Sequence, residues 1–174
     1  MKLVTISLLS AVCLLFAACK DKSKAAPGQP KEVSKLVSAE AENCVSDATF
    51  AVQIKDFARA EKSMARAVEL RPDVADWWVT LGSLCKRQGK TSEARSAYKK
   101  ALGLLEDRYA ATSEPQDLQQ QLAIMVLLGR EADARTELER AYKKRPTEPV
   151  LKNYYETKLI DLLLQDENIK QMKL

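Results

Sequence analysis

The pattern of apolar and polar residues divides this chain into an uncharged apolar stretch, a polar stretch and a long helical region. Leu3 to Ala18 carry no charge, residues 20–33 are polar and lack periodicity, and from residue 41 onward the chain repeats itself. Only five glycines occur in 174 residues, whereas Ala, Leu, Lys, Glu and Arg, all good helix formers, are abundant. The pattern therefore predicts an all-α protein with one folded domain at 34–166 and a tail at 167–174.

The helical region contains three copies of one pattern of small, apolar and aromatic residues. The middle copy has Trp78, Leu81, Gly82, Gly89, Ala94, Tyr98 and Ala101. The copy before it has Ala48, Phe57, Ala60, Met64, Ala67 and Pro72. The third, which follows six extra residues at 109–114, has Leu118, Leu122, Gly129, Ala134, Leu138, Ala141 and Pro146. The 34-residue spacing resembles the tetratricopeptide repeat, a helix-turn-helix unit. This resemblance implies a right-handed α-solenoid of about three units, at 41–74, 75–108 and 115–148.

The small residues of the pattern have a packing explanation. Two antiparallel helices approach closely only where side chains are small, and Gly82 and Ala94 meet that need. Gly89 and Gly129 end the first helix of their units, where a positive φ is required. The first unit has Lys55 at this position, so its turn is expected to be less favourable.

A solenoid also needs its last apolar face covered. Residues 149–165 predict a closing helix, because their apolar side chains follow helical spacing. The same apolar face could instead mediate dimerisation. The capping role is favoured, since the third unit would otherwise end uncovered.

The N-terminus has the features of an export signal. Met1 and Lys2 precede the apolar stretch, which ends Phe-Ala-Ala before Cys19. A positive start, a short apolar segment and small residues at the cleavage site are typical of a secretory signal. The Ala-Ala-Cys ending resembles the lipobox of bacterial lipoproteins, although Phe16 stands where Leu, Val or Ile is usual. The resemblance implies a signal peptide at 1–18, an acylated Cys19 and a flexible membrane tether at 19–33. An uncleaved membrane anchor and ordinary signal cleavage are the alternatives.

If Cys19 is acylated, a bacterial envelope location follows, facing the periplasm in a two-membrane cell. Lys20, rather than aspartate, follows the cysteine. The inner-membrane retention signal of enteric-type bacteria is therefore missing, which gives a weak preference for the outer membrane.

Charge and cysteine content exclude several classes of function. The net charge is +4, or +3 once the signal and its one charge at Lys2 are removed, and the charges are interspersed, which argues against nucleic acid as a partner. The chain has no histidine, no phosphate loop and no Cys-x-x-Cys pair. We therefore expect no enzymatic activity, no metal and no cofactor.

Two cysteines, Cys44 and Cys85, remain in the domain. They occupy the fourth and eleventh positions of adjacent units. This difference of seven residues corresponds to about 10 Å along a helix, and neighbouring helix axes add about 8–10 Å. A disulfide requires Cα atoms within about 7 Å, so two free, mostly buried thiols are predicted.

The family resemblance also implies where a partner binds. The first helices of the units line a concave groove that accepts an extended peptide or a helix. Carried over position by position, its lining is Val45, Thr49, Val52, Val79, Ser83, Lys86, Arg87, Ala123, Val126 and Leu127. The groove is mostly apolar, with one basic spot. The carboxylate clamp of chaperone-binding relatives is not expected, because Val45, Thr49, Thr80 and Gln120 occupy its places.

Two tryptophans adjoin this groove in sequence. Trp78 falls at the family's core aromatic position, and Trp77 is expected to seal the junction with the first unit or, alternatively, to form an exposed contact.

The leading functional hypothesis is a membrane-tethered adaptor that binds a protein in its groove. Its specific version is a pilotin-like assembly factor. A self-associating structural lipoprotein is the alternative function. For the lining residues, the alternative is that the groove is shallow and its apolar side chains serve only to pack the helices together.

Overall fold

The computed structural model describes residues 30–174, so the predicted signal peptide, Cys19 and most of the predicted tether lie outside the described residues. This part of the chain forms nine helices and no strands. The helices are α1 Lys35–Gln53, α2 Phe57–Leu70, α3 Ala75–Arg87, α4 Thr91–Thr112, α5 Pro115–Leu127, α6 Glu131–Lys144, α7 Pro149–Glu156, α8 Leu159–Gln165 and α9 Glu167–Met172. None of them combines the length and the apolar character that crossing a bilayer requires.

Consecutive helices pack as hairpins that stack along the chain. The pairs α1–α2, α3–α4 and α5–α6 each form one unit, and α2, α4 and α6 contact the first helix of the unit that follows. Local capping sets several boundaries: the Asp56 carboxylate accepts a hydrogen bond from the Arg59 N–H (3.0 Å), and Pro115 begins α5. The predicted all-α array of helix-turn-helix units is confirmed.

The turns inside the three units share one geometry. A main-chain N–H bonds the carbonyl five residues earlier in each: Asp56 to Ala51 (2.8 Å), Lys90 to Cys85 (2.9 Å) and Arg130 to Met125 (2.9 Å). The residue before each donor has a positive φ: 62° at Lys55, 76° at Gly89 and 73° at Gly129. Lys55 thus adopts the conformation that glycine provides in the other two units, as the repeat pattern predicts.

Replacing Lys55 with glycine should stabilise the domain. A left-handed conformation costs a residue with a Cβ about 1–2 kcal/mol, part of which is offset by the greater flexibility of glycine in the unfolded chain. We expect a gain of about 0.5–1 kcal/mol in urea denaturation followed by circular dichroism. The control is Lys62→Gly on the exposed face of α2, which should lose about 1 kcal/mol. A loss for both variants would contradict the shared turn geometry.

The six extra residues between the second and third units lengthen a helix instead of forming a loop. The α4 helix runs to Thr112, and the chain turns at Ser113, whose φ is 57°. The hydroxyl of Thr112 donates to the Asp117 carboxylate at 2.8 Å, and Asp117 also pairs with Arg108 at 2.6 Å. These contacts tie the lengthened end of α4 to the start of α5.

The C-terminal region differs from the prediction of one closing helix followed by a tail. The segment 149–165 forms two short helices, α7 and α8, separated by Lys158, whose φ is 54°. This left-handed residue redirects the chain, so that Leu159 and Ile160 become buried and α8 contacts α5 and α6. The predicted tail, 167–174, contains α9, which is capped by Asp166 and packs against α3 and α5. The last sixteen residues therefore fold back over the array and do not extend it.

The buried residues form two clusters of different character. The first unit is packed mainly through the alanines Ala48, Ala51, Ala60 and Ala67, together with Met64 and Leu84. The larger cluster extends from α3 to α8 and includes Tyr98, Leu118, Leu122 and Leu151. The first unit therefore has less apolar side-chain volume in its core than the rest of the domain.

The prediction of two free thiols is confirmed for both cysteines. Cys85 is buried, whereas Cys44 is half-buried and so is more accessible than expected. Burial raises the pKa of the Cys85 thiol to about 11. Cys85 should therefore stay a thiol, not a thiolate, at neutral pH.

Candidate functional site

An apolar pocket opens between the first helices of the first two units. It has a volume of about 220 Å³ and is lined by Ala48, Thr49, Val52, Met64, Thr80 and Leu84. The Val52 side chain, at the end of α1, is 40% exposed although it is apolar. Thr49 donates its hydroxyl to the Val45 carbonyl at 2.9 Å, so its polar atom is satisfied within α1 and its methyl group remains available for apolar contact.

Three of the predicted lining residues come from this part of the chain, and two of them line the pocket. Thr49 and Val52 are both exposed there. Val45 is half-buried and packs against the first-unit core. The pocket therefore forms the open half of the predicted groove, whereas Val45 belongs to the core packing of the first unit.

The predicted basic spot is only partly available to a partner. The Arg87 guanidinium lies 5.6 Å from the centroid of the Phe57 ring, within the range of a cation–π contact. Lys86 and Ser83 are half-buried on α3. Arg87 therefore joins α3 to the first unit while remaining exposed, whereas Lys86 is half-buried, so Arg87 is the more available positive charge.

The part of the groove that α5 forms is covered. Val126 and Leu127 were expected to line an open groove, yet they are 0% and 1% exposed. Ala123 and Val79 are half-buried, and Val79 packs against the larger core cluster. The physical reason is the C-terminal fold-back, since α8 and α9 both pack on α5 and α9 also reaches α3. In this structure Val126 and Leu127 are core residues, and a partner does not reach them.

Three polar contacts hold the last residues of the chain in this position. The Tyr98 hydroxyl donates to the Met172 carbonyl at 3.1 Å, and the Leu174 N–H donates to the Leu127 carbonyl at 2.9 Å. The Lys173 ammonium pairs with the Glu131 carboxylate. Burial raises the pKa of Tyr98 to about 12, so its hydroxyl remains a donor at physiological pH.

Trp77 has the structural role expected of it, whereas Trp78 lies outside both core clusters although the repeat pattern places it at a core position. Trp77 packs against the first-unit core cluster, which confirms that it seals the junction between the first two units. Trp78 is half-buried, and its ring N–H donates to the Pro72 carbonyl at 2.9 Å. It therefore fastens the connection between α2 and α3.

Sequence reasoning did not identify residues 167–174 as part of the site. A signal was present, because Ile169, Met172 and Leu174 place apolar residues at short intervals in an otherwise polar segment. The segment is short, however, and isolated helices shorter than about 12–15 residues are marginal in water. Its helical structure depends on the Asp166 cap and on tertiary contacts with α3, α5 and α8.

Comparison with known protein families identifies the repeat. Residues 49–111 match the family model described as Tetratricopeptide repeat, which covers most of the first unit and all of the second. No curated protein is significantly similar to the chain. The family is typically a non-enzymatic protein-interaction module. Among residues 30–174, no cluster of acidic or cysteine side chains is arranged to hold a metal ion.

Proposed function

We propose that this chain, whose residues 49–111 match the tetratricopeptide repeat, is an adaptor of the bacterial envelope, tethered to a membrane and binding a protein partner on its concave face. The observation that carries this proposal is the solvent-open apolar pocket between α1 and α3. Such a pocket favours an apolar side chain of a peptide or helix. A pilotin-like factor that helps to assemble a larger envelope complex is the specific version of this function.

The membrane tether is inferred from the sequence. Cys19 follows an apolar signal and two alanines, and a polar segment separates it from α1. A lipid such as palmitate on Cys19 would hold the domain near the bilayer. About fourteen residues in a flexible coil span roughly 20 Å on average. Lys20 after the cysteine favours the outer membrane, with the domain on its periplasmic side.

The Cys19→Ser variant tests the tether. We expect it to leave the membrane fraction or to accumulate as an unprocessed precursor, because serine cannot form the thioether to lipid. Mass spectrometry of the wild-type protein should find an acylated N-terminus at Cys19. A mature N-terminus at another residue would rule out the lipoprotein assignment without affecting the adaptor function.

Partner binding is tested by changing the open pocket alone. Val52→Glu places a charge in the pocket on a side chain that already contacts water, so stability should change by no more than about 0.5 kcal/mol. Crosslinking and pull-down from native membranes should then lose the partner recovered with the wild type. Leu36→Glu is the matched control, since Leu36 is an 83% exposed apolar residue of the same helix outside the pocket.

The outcome of this comparison locates the contact surface. Loss of the partner with Val52→Glu and retention with Leu36→Glu would support the pocket. If Val52→Glu retains every partner, binding occurs elsewhere on the domain. A tight dimer of residues 30–174 in size measurements would favour the alternative, a self-associating structural protein that uses exposed apolar side chains such as Leu162.

A further inference from the structure

The last eight residues, 167–174, lie where the groove would otherwise be open, and we refer to them as the C-terminal segment. Its helix α9 packs on the first helices of the second and third units, α3 and α5. Ile169, Met172 and Leu174 pack against the larger core cluster, as does Val79 of α3. The neighbouring α3 residues Thr80 and Leu84 line the open pocket. The covered and open parts of the groove are therefore adjacent on α3.

The contacts of the C-terminal segment are of the kind that binds a peptide. Two of its three polar contacts use its main chain, at the Met172 carbonyl and the Leu174 N–H, and so do not depend on side-chain identity. The donor to Met172 is the hydroxyl of Tyr98, a side chain that is 0% exposed. The third contact, between Lys173 and Glu131, selects a basic residue. The apolar side chains of Met172 and Leu174 pack against the larger core cluster on either side of Lys173. Packing and charge together therefore specify an apolar residue, a basic residue and a second apolar residue in succession.

The C-terminal segment is held less firmly than the surface it covers. None of the α9 residues is fully buried, whereas Val126 and Leu127 beneath it are almost completely inaccessible. With six residues, α9 is too short to be stable as an isolated helix. Peripheral elements with few buried apolar contacts open locally at a lower free energy than the core. Opening of the C-terminal segment would expose an apolar surface on α5.

We propose that the surface of α3 and α5 is a binding site for an apolar–basic–apolar peptide segment, and that the C-terminal segment is its resident, displaceable occupant. This proposal rests on the adaptor function and extends it by naming the chemistry of the partner. Glu131 provides the charge that the basic residue of the partner meets, and Tyr98 provides the main-chain anchor. An incoming segment replaces the same contacts, so that the groove remains covered until a partner competes for it.

The test uses the full chain in detergent and a fluorescein-labelled peptide with the sequence of residues 166–174. Met172→Asp loosens the C-terminal segment, because a carboxylate replaces a side chain that packs on the core. We expect this variant to bind the peptide at least about tenfold more tightly than the wild type does, since the internal competitor is weakened. Gln171→Asp is the matched control: the same charge is added to an exposed neighbour, and peptide affinity should equal that of the wild type.

The charge contact supplies a second criterion. A peptide with Lys173→Glu should lose binding to the Met172→Asp variant, and the double variant Met172→Asp/Glu131→Lys should restore it. If Met172→Asp keeps its helical circular dichroism and does not bind the wild-type peptide, the proposal is overturned. Equal binding by both charge forms of the peptide would also overturn it, because the Glu131 contact would then have no role.

A separate measurement applies if Met172→Asp unfolds. A protease site inserted between Gln165 and Asp166 allows the segment to be cut after the chain has folded. The cleaved segment should then exchange with the labelled peptide during gel filtration, and a segment that stays bound without exchange would overturn the proposal. If the labelled peptide binds but the pull-down from native membranes recovers no partner, only the adaptor function is refuted. Equal recovery of partners with wild type and Met172→Asp would refute only the competition proposed here.

Discussion

Replacing Gly82 with alanine is expected to lower the thermal midpoint of the domain by about 3–10 °C, which corresponds to roughly 1–3 kcal/mol of overpacking. A methyl group at this position would lie 2.5 Å from Cδ1 of the Tyr98 ring. Tyr98 cannot move away easily, because it is 0% exposed and its hydroxyl is bonded to the C-terminal segment. Thermal unfolding followed by circular dichroism measures the effect.

The matched control for this substitution is Gly103→Ala on α4. A methyl group there meets no atom within 4 Å, so only helix propensity changes. Alanine is favoured over glycine in a helix by about 1 kcal/mol, and the midpoint should rise. If both variants raise the midpoint, Gly82 does not mark a close approach between α3 and α4, and the packing explanation of the repeat fails at this position.

The second large effect is expected for Val126→Glu. Val126 is 0% exposed on α5, against which α8 and α9 pack, so a carboxylate at this position would be cut off from water. Burying an unpaired charge costs several kcal/mol, so we expect a loss of roughly 3–5 kcal/mol and a midpoint lower by about 10 °C or more. The measurement is again thermal unfolding by circular dichroism, with hydrogen exchange of α9 as a local readout.

Val52→Glu is the control for Val126→Glu, because it makes the same substitution on the open part of the groove. Its midpoint should stay close to that of the wild type. An unchanged midpoint and unchanged α9 protection for Val126→Glu would mean that α8 and α9 do not cover α5 in solution. Val126 would then be accessible in an open groove, as the repeat pattern alone predicts.

The repeated units could be predicted in detail because their determinants are local. Gly89 and Gly129 mark turns, Ala94 and Gly82 mark close helix contacts, and Pro115 begins a helix. Even the departure at Lys55 was predictable, since the other units define the backbone conformation that it must adopt. Trp77 was likewise placed by its offset from the repeat, and the structure confirms its position at the junction.

The candidate site was predictable only in its first half. Thr49 and Val52 are exposed and line an open pocket, because their positions follow from the packing of neighbouring units. Val126 and Leu127 occupy the equivalent groove positions in the third unit, but their accessibility depends on residues more than thirty positions away in sequence. Repeat spacing contains no information about such a contact.

The sequence by itself determined the helical units, their turns, the two free thiols and the open part of the groove at Thr49 and Val52. These features follow from spacing, from turn conformation and from residue size, each of which acts within a unit or between neighbours. Only the tertiary structure decided that the chain turns back at Lys158 and that the C-terminal segment covers α5. That outcome depends on the balance between burying a few apolar side chains and ordering a short segment. The two terms are of similar size and opposite sign, so a sequence pattern does not reveal which one prevails.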